Sequence, residues 1–198
     1  MRMNEVTKRS RMKAERRSRL VRAASRLFAE RGFRAVSMED LAAEAGVSGP
    51  AVYRHFASKE ALLAHLLIDV SQQLLEQGTQ HATSESPVTA MESLIAFHTD
   101  FALRDRDLIR IQDHDFANLA TEDARTVSRL QRAYLDVWVR VFEQIDPTQS
   151  ESVARTKIQA VFGLLNSTPH SASHRDIETT RSILEELAMK ALGLHADH

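Results

Sequence analysis

Apolar residues recur at helical spacing along most of the chain. The pattern predicts a first helix over residues 14–31, because Leu20, Leu27 and Phe28 fall on one side of it. A second helix is predicted at 38–45, and a third begins near Ser48. Further helices are predicted at 59–79, 87–103, 106–119, 122–145, 148–167 and 174–192. Polar stretches at 78–87 and 167–173 are predicted loops. Six glycines and four prolines leave little material for hairpins, so we expect an all-α fold of about nine helices.

Residues 37–60 predict two short helices joined by a glycine turn. Ser37 can cap the first helix, and Asp40 follows it at the spacing of a capping box. Gly46 supplies the left-handed backbone that ends this helix. Pro50 suits the first turn of the second helix, because the amides there lack partners. This order is typical of a helix-turn-helix, whose second helix enters the major groove of DNA.

The charge of the chain is unevenly distributed. Residues 1–60 hold 14 Lys/Arg against 7 Asp/Glu, whereas residues 61–198 hold 12 against 20. A basic segment beside a helix-turn-helix indicates a surface that binds phosphates. We expect residues 1–13 to form a flexible basic arm. A transit peptide is the competing interpretation, but the basic stretch continues without a break into the first predicted helix.

Three segments of the N-terminal region resemble the TetR family of bacterial transcriptional regulators. They are LFAERGF (27–33), GVSGPAVYRHF (46–56) and SKEALL (58–63). The resemblance extends over residues 14–63. It implies a DNA-binding head at 14–60, after the arm at 1–13, and a ligand-binding and dimerisation domain at 61–198.

The resemblance and the position of the second helix together indicate which residues contact DNA. These candidates are Ser37, Ser48, Gly49, Pro50, Ala51, Tyr53, Arg54, His55 and Lys59. Arg54 can pair with guanine in the major groove, although a phosphate contact or a solvated position is also open. Gly49 and Pro50 could read bases only by apolar contact. Tyr53 is either a phosphate contact or a half-buried core residue.

Members of the resembled family are homodimers on palindromic operators, which implies the same here. The last two helices would pair with their copies. Their apolar residues are Val153, Ile158, Val161, Leu164, Leu165, Ile183, Leu184, Leu187 and Leu192. Some of these apolar residues on each helix must also belong to the core of one protomer.

The middle helices are where a small-molecule effector is expected. Large apolar and a few polar side chains there are typical of a ligand pocket, although the same residues could form plain core. The candidates are Phe97, His98, Phe101, Arg110, Ile111, Gln112, His114, Phe116, Tyr134, Trp138, Phe142, Phe162 and Asn166. Arg104, Arg106 and Arg110 suggest a basic rim for an acyl-CoA-like ligand. The segment 109–116 is also similar to regulators of lipid or sterol breakdown in actinobacteria.

Several other functions are disfavoured. The chain has no cysteine, and no apolar run approaches the length of a membrane span. Asp113, His114 and Asp115 are consecutive on one helix, so they cannot converge on one metal ion. We therefore predict no metal, no cofactor and no enzyme. A regulator controlled by a partner protein is the main alternative, and the resemblance implies a cytoplasmic protein at the bacterial nucleoid.

Overall fold

A computed structural model describes the backbone of residues 2–171 and 176–194, and the side chains of 10–170 and 176–194. Those residues form ten α-helices and no strand, which confirms the predicted all-α class. The helices are α1 (Arg2–Arg31), α2 (Met38–Ala45), α3 (Gly49–Tyr53), α4 (Lys59–His81), α5 (Pro87–Arg104), α6 (Arg106–Asp115), α7 (Thr121–Ile145), α8 (Glu151–Leu165), α9 (Thr168–Ser171) and α10 (Ile177–Ala191). Two 3-10 turns lie at Phe33–Ala35 and Phe116–Asn118.

Helix α1 is longer than the sequence pattern predicts. The described backbone is helical from Arg2, whereas the sequence pattern begins this helix at residue 14, after a flexible arm at residues 1–13. No glycine or proline precedes Gly32, and arginine, lysine and methionine favour the helix, so nothing interrupts it. Gly32 ends the helix as expected, in a backbone conformation with φ 77° that other residues rarely adopt.

The predicted turn between α2 and α3 is confirmed. The Ser37 hydroxyl accepts a hydrogen bond from the Asp40 amide at 3.0 Å, and the Asp40 carboxylate accepts one from the Ser37 amide at 2.8 Å. Gly46 adopts the left-handed conformation, with φ 63° and ψ 40°. The following amide, of Val47, donates to the carbonyl of Ala42 at 3.0 Å, which closes the end of α2.

The chain divides into two compact units. The head unit comprises the residues up to Leu67 together with Arg110–Ala124, and the C-terminal unit comprises Ile68–Ile109 and the described residues from Arg125 onward. This division differs from the expected boundary between residues 60 and 61. The first two turns of α4 stay with the head because their leucines, including Leu62 and Leu67, are buried. The segment 110–124 joins the same unit, and its Ile111 is fully buried.

The C-terminal unit has one apolar core, built from α5, α7, α8 and α10. Trp138 lies within it and is fully buried, beside Phe142, Ile158 and Leu165. Helix α9 occupies part of the predicted loop 167–173, and residues 172 and 173 of that loop lie outside the described residues. None of the described helices combines the length and the apolar character that crossing a membrane requires.

Candidate functional site

Helix α3 presents a short, mostly exposed surface. Ser48 precedes the helix in extended backbone and Pro50 lies in its first turn, as predicted. Val52 is fully buried and anchors the helix to the head unit. Tyr53 is 53% exposed and lies outside the buried core, which favours the alternative of a phosphate contact. Gly49, Pro50 and Ala51 occupy the amino-terminal turn, which is the part of a recognition helix that usually reaches base edges.

Arg54 and His55 follow α3 instead of lying within it. The helix ends at Tyr53, and Arg54 is its C-cap residue. The amides of His55 and Phe56 both donate to the carbonyl of Val52, at 2.9 and 3.0 Å, so the chain turns there. Phe56 is then buried, and drawing its ring into the core ends the helix early. Arg54 therefore projects from the carboxyl end of α3.

A basic cleft of about 510 Å³ opens beside Arg54. Its lining consists of Met12, Lys13, Arg16, Arg54 and His55. Burial lowers the pKa of the His55 imidazole, and the positive charges of Lys13 and of two arginines on α1 lower it further. The imidazole is thus kept neutral near pH 7, and the positive charge of the cleft comes from the lysine and the arginines.

Lys59 serves a structural purpose besides its predicted phosphate contact. Its ammonium donates to the carbonyls of Phe33 and Val36, at 2.8 and 2.7 Å, and lies 4.4 Å from the centre of the Phe33 ring. Two of its three hydrogens are therefore used within the head unit. The Ser37 hydroxyl is likewise engaged in the capping box, whereas Ser48 makes no side-chain capping bond. The contacts of Lys59, Ser37 and Ser48 with DNA stay predictions.

Sequence analysis missed the link between segment 110–124 and the turn before α2. The buried carboxylate of Asp115 accepts hydrogen bonds from the Phe33 amide at 3.3 and 3.2 Å. Asn118 accepts one from the Arg34 guanidinium at 3.4 Å. These partners are 82 and 84 residues apart, so no local pattern could reveal them.

In the C-terminal unit, His98 contacts five other predicted ligand residues, and the six together are called here the aromatic cluster: His98, Phe101, Tyr134, Trp138, Phe162 and Asn166. The ring nitrogens of His98 lie 3.2 Å from the Tyr134 hydroxyl and 3.1 Å from the Asn166 side-chain oxygen. Burial lowers the pKa of His98 to about 4, so its imidazole is neutral at pH 7. With one ring hydrogen, His98 can donate to Asn166 and accept from Tyr134. Burial also raises the pKa of Tyr134, which keeps its hydroxyl protonated.

The aromatic cluster also contains an unpaired donor. The Trp138 side chain is fully buried, and its Nε1 has no hydrogen-bond partner among the described residues. The Phe162 ring lies 4.9 Å from both Trp138 and His98 between ring centres, and Phe101 lies 5.6 Å from His98. Phe97 packs against this core and stacks on His81, while Phe162, Phe101 and Asn166 remain half-buried. A ligand would therefore reach the aromatic cluster from the side formed by Phe101, Phe162 and Asn166.

Five further predicted ligand residues are assigned to the head unit. They are Arg110, Ile111, Gln112, His114 and Phe116. Of the expected basic rim, Arg104 pairs with Asp100, which also accepts from Arg181 at 2.7 Å. Asp113 and His114 are exposed while Asp115 is buried, so the three diverge as expected. No cluster of metal-ligating side chains occurs in the described part of the chain.

The predicted dimer helices carry both core and surface residues. Five of the apolar residues named above are buried within one protomer: Ile158, Val161, Leu165, Leu184 and Leu192. Val153 on α8 and Ile183 and Leu187 on α10 are exposed, by 45%, 49% and 43%. The exposed side of α8 also contains Gly163, beside which a Cβ would meet no atom within 4 Å.

The capped α2, the glycine turn and the exposed α3 define a helix-turn-helix protein. Residues 20–66, which include the helix-turn-helix, match the tetR family of bacterial regulatory proteins.

Known relatives extend the similarity beyond this domain. The transcriptional repressor KstR2 of Rhodococcus jostii (strain RHA1) is 31% identical over 140 residues, which are 66% of this chain and 65% of the repressor. A TetR-family regulator from Bordetella parapertussis 12822 has a similar fold, with a TM-score of 0.79 at 21% identity over 91% of this chain and 98% of that one. The regulator FadR from Bacillus subtilis, solved in complex with stearoyl-CoA, has a TM-score of 0.70 at 18% identity over 90% of this chain and 99% of that one.

Proposed function

We propose that the protein is a sequence-specific DNA-binding transcriptional regulator, a repressor that leaves a palindromic operator when a small molecule binds its C-terminal unit. The observation that carries the proposal is the exposed α3, anchored by the buried Val52 within a TetR-family head and flanked by a basic cleft. A short exposed helix of this kind fits the major groove. Such a protein would work in the bacterial cytoplasm, at the nucleoid.

In vitro selection tests this function. The full-length protein is used to enrich duplexes from a random 30-base-pair pool, and the affinity of the enriched duplex is measured over a range of KCl concentrations. We expect a palindromic sequence and a steep loss of affinity with salt, because phosphate contacts release counterions. Failure to enrich any sequence, together with binding that is weak at all salt concentrations, would contradict the proposal.

Dimerisation is proposed through α8 and α10. A palindromic site requires two heads, and the exposed Val153, Ile183 and Leu187 offer apolar surface for a second copy.

The aromatic cluster is the proposed effector site. Its rings would contact an apolar molecule or the acyl chain of an acyl-CoA, the class of ligand found in FadR from Bacillus subtilis. The Trp138 Nε1 could donate to an oxygen of that ligand. A ligand can release DNA only if it binds the DNA-free state more tightly than the DNA-bound state.

Titration with stearoyl-CoA tests the proposed effector site, because Trp138 is the only tryptophan of the chain. We expect the Trp138 fluorescence to change over the same concentration range in which the selected duplex is released. Release of DNA without a fluorescence change would place the site elsewhere. A fluorescence change without release would show a ligand that does not regulate.

The protein is also proposed to lack catalytic activity. The neutral His98 is bonded to Tyr134 and Asn166, and a pKa of about 4 makes it a poor general base near pH 7. Incubation with stearoyl-CoA should release no free thiol, measured with a thiol-reactive dye. Steady thiol release that His98→Gln abolishes would contradict this.

A further inference from the structure

We propose that Lys13 and Arg16 of α1 and Arg54 at the end of α3 form a clamp for one phosphate group of the DNA backbone, so that Arg54 holds the backbone instead of reading a guanine. The inference rests on the proposed DNA-binding function. It gives Arg54 one role, where the sequence alone leaves several open.

Geometry is the first argument. Lys13 and Arg16 are three residues apart, so they share one face of α1. Arg54 reaches the same cleft from the carboxyl end of α3. Base edges are read chiefly by the amino-terminal residues of a recognition helix, and a side chain at its far end lies closer to the backbone of the DNA.

Charge is the second argument. Three cationic side chains line the cleft, and no carboxylate does, since the nearby Glu15 on α1 is not part of the lining. None of the three has an ion-pair partner among the described side chains. An anion between them would relieve their mutual repulsion, and phosphate oxygens are acceptors that both guanidinium and ammonium groups bind through charge-assisted hydrogen bonds.

Some basic side chains elsewhere in the protein are paired with carboxylates. On α1 itself Arg26 pairs with Glu44, and in the C-terminal unit Arg155 pairs with Asp136 and Glu151. The cleft thus concentrates cations that the protein leaves without an internal counter-charge. Met12 covers one wall, where its apolar side chain could contact a deoxyribose.

The experiment compares two kinds of DNA. Fluorescence anisotropy of the full-length protein is measured with the duplex selected from the random 30-base-pair pool and with the unselected pool, each from 50 to 300 mM KCl. The variants are Lys13→Ala, Arg16→Ala, Arg54→Ala and Arg54→Lys. Arg22→Ala is the matched control, because it removes one exposed cation of α1 that bonds to Ser18 outside the cleft.

If the three side chains clamp a phosphate, each alanine variant should lose the same amount of affinity for both DNAs. Each alanine variant in the cleft should weaken binding about 5- to 10-fold for the selected duplex and for the pool alike, and lower the salt slope by about one. Arg54→Lys should keep most of the affinity, because a phosphate accepts an ammonium as well, whereas the bidentate guanine contact needs the guanidinium. Arg22→Ala should bind like the unmodified protein.

Three results would overturn the clamp. Arg54→Ala and Arg54→Lys could both lose affinity for the selected duplex alone, which would make Arg54 a base reader. Lys13→Ala and Arg16→Ala could bind with unchanged affinity and salt slope. Arg22→Ala could lose as much as they do, which would indicate a diffuse charge effect. If the unmodified protein binds neither DNA, the proposed function itself fails, and the clamp fails with it.

Discussion

Gly78 of α4 faces the ring of Tyr134 so closely that a Cβ added there would overlap it. Alanine normally stabilises a helix interior by about 0.5–1 kcal/mol relative to glycine. Here the ring is held by His98 and Phe162 and cannot move away freely, so overpacking costs about 1–3 kcal/mol. We expect Gly78→Ala to lower the free energy of unfolding by about 1 kcal/mol, measured by urea titration of Trp138 fluorescence.

Gly163→Ala is the control for this prediction. Gly163 also lies inside a helix, but a Cβ added there would meet no atom within 4 Å in the protomer. The substitution should be neutral or stabilising. If Gly78→Ala stabilised the protein equally, the close approach of α4 to Tyr134 would be wrong.

His98 should make the stability of the C-terminal unit depend on pH. Its pKa is lowered from 6.5 to about 4 by burial, so between these values the unfolded chain binds more protons than the folded protein. The free energy of unfolding therefore rises with pH across this window. Acidification from pH 6.5 to 4 should remove about 2–3 kcal/mol, because each pKa unit corresponds to about 1.4 kcal/mol.

Urea titrations at several pH values, read by Trp138 fluorescence, measure this dependence. His98→Gln is the reference, because glutamine can bond to Tyr134 and Asn166 and does not titrate. The difference between the two proteins isolates His98 from the other titrating groups. An identical pH dependence in both would show that His98 is not buried in its neutral form.

Side chains whose partners are near in sequence were predictable, and those with distant partners were not. Ser37 and Asp40 form the expected capping box because the motif is local. The members of the aromatic cluster followed from their helical spacing, although their bonds to His98 did not. The bond between Asp115 and the Phe33 amide joins segments that no periodicity relates.

Helix α2 offers a test at the scale of one element. Ser37→Ala removes the acceptor of the Asp40 amide and should lower stability by about 1 kcal/mol. Ser48→Ala is the matched control, since Ser48 precedes α3 without a side-chain capping bond and should cost much less. Thermal unfolding followed by circular dichroism compares them. Equal losses would show that the capping box does not stabilise the head unit.

Helix boundaries were harder to predict than helix positions. The pattern located α7 almost to the residue, because apolar positions repeat along its whole length. It missed the start of α1, where apolar residues are sparse and only the absence of glycine and proline indicates a helix. It located the start of α3 near Ser48 but not its end at Tyr53, because burial of the Phe56 ring overrides the local propensity of the chain.

At the scale of the whole molecule, the exposed surface of α10 should decide whether two copies associate. Ile183→Glu would place a charge in the proposed interface, where desolvating it is costly, and should give monomers that bind the selected duplex far more weakly. Sedimentation velocity measures the assembly. Ser182→Glu adds the same charge at a neighbouring exposed position and should remain dimeric. A dimeric Ile183→Glu protein would rule out this surface.

The head unit is assembled from two separate stretches of chain, and this limits how it can be engineered. A hybrid sensor that joins residues 1–67 to a foreign ligand domain would discard Asp115, the acceptor of the Phe33 amide, together with the buried Ile111. A buried amide left without its acceptor costs about 1–3 kcal/mol. A head made of residues 1–67 alone, the continuous segment that contains the helix-turn-helix motif, would therefore be less stable than the complete head unit. Grafts should retain a counterpart of residues 110–124.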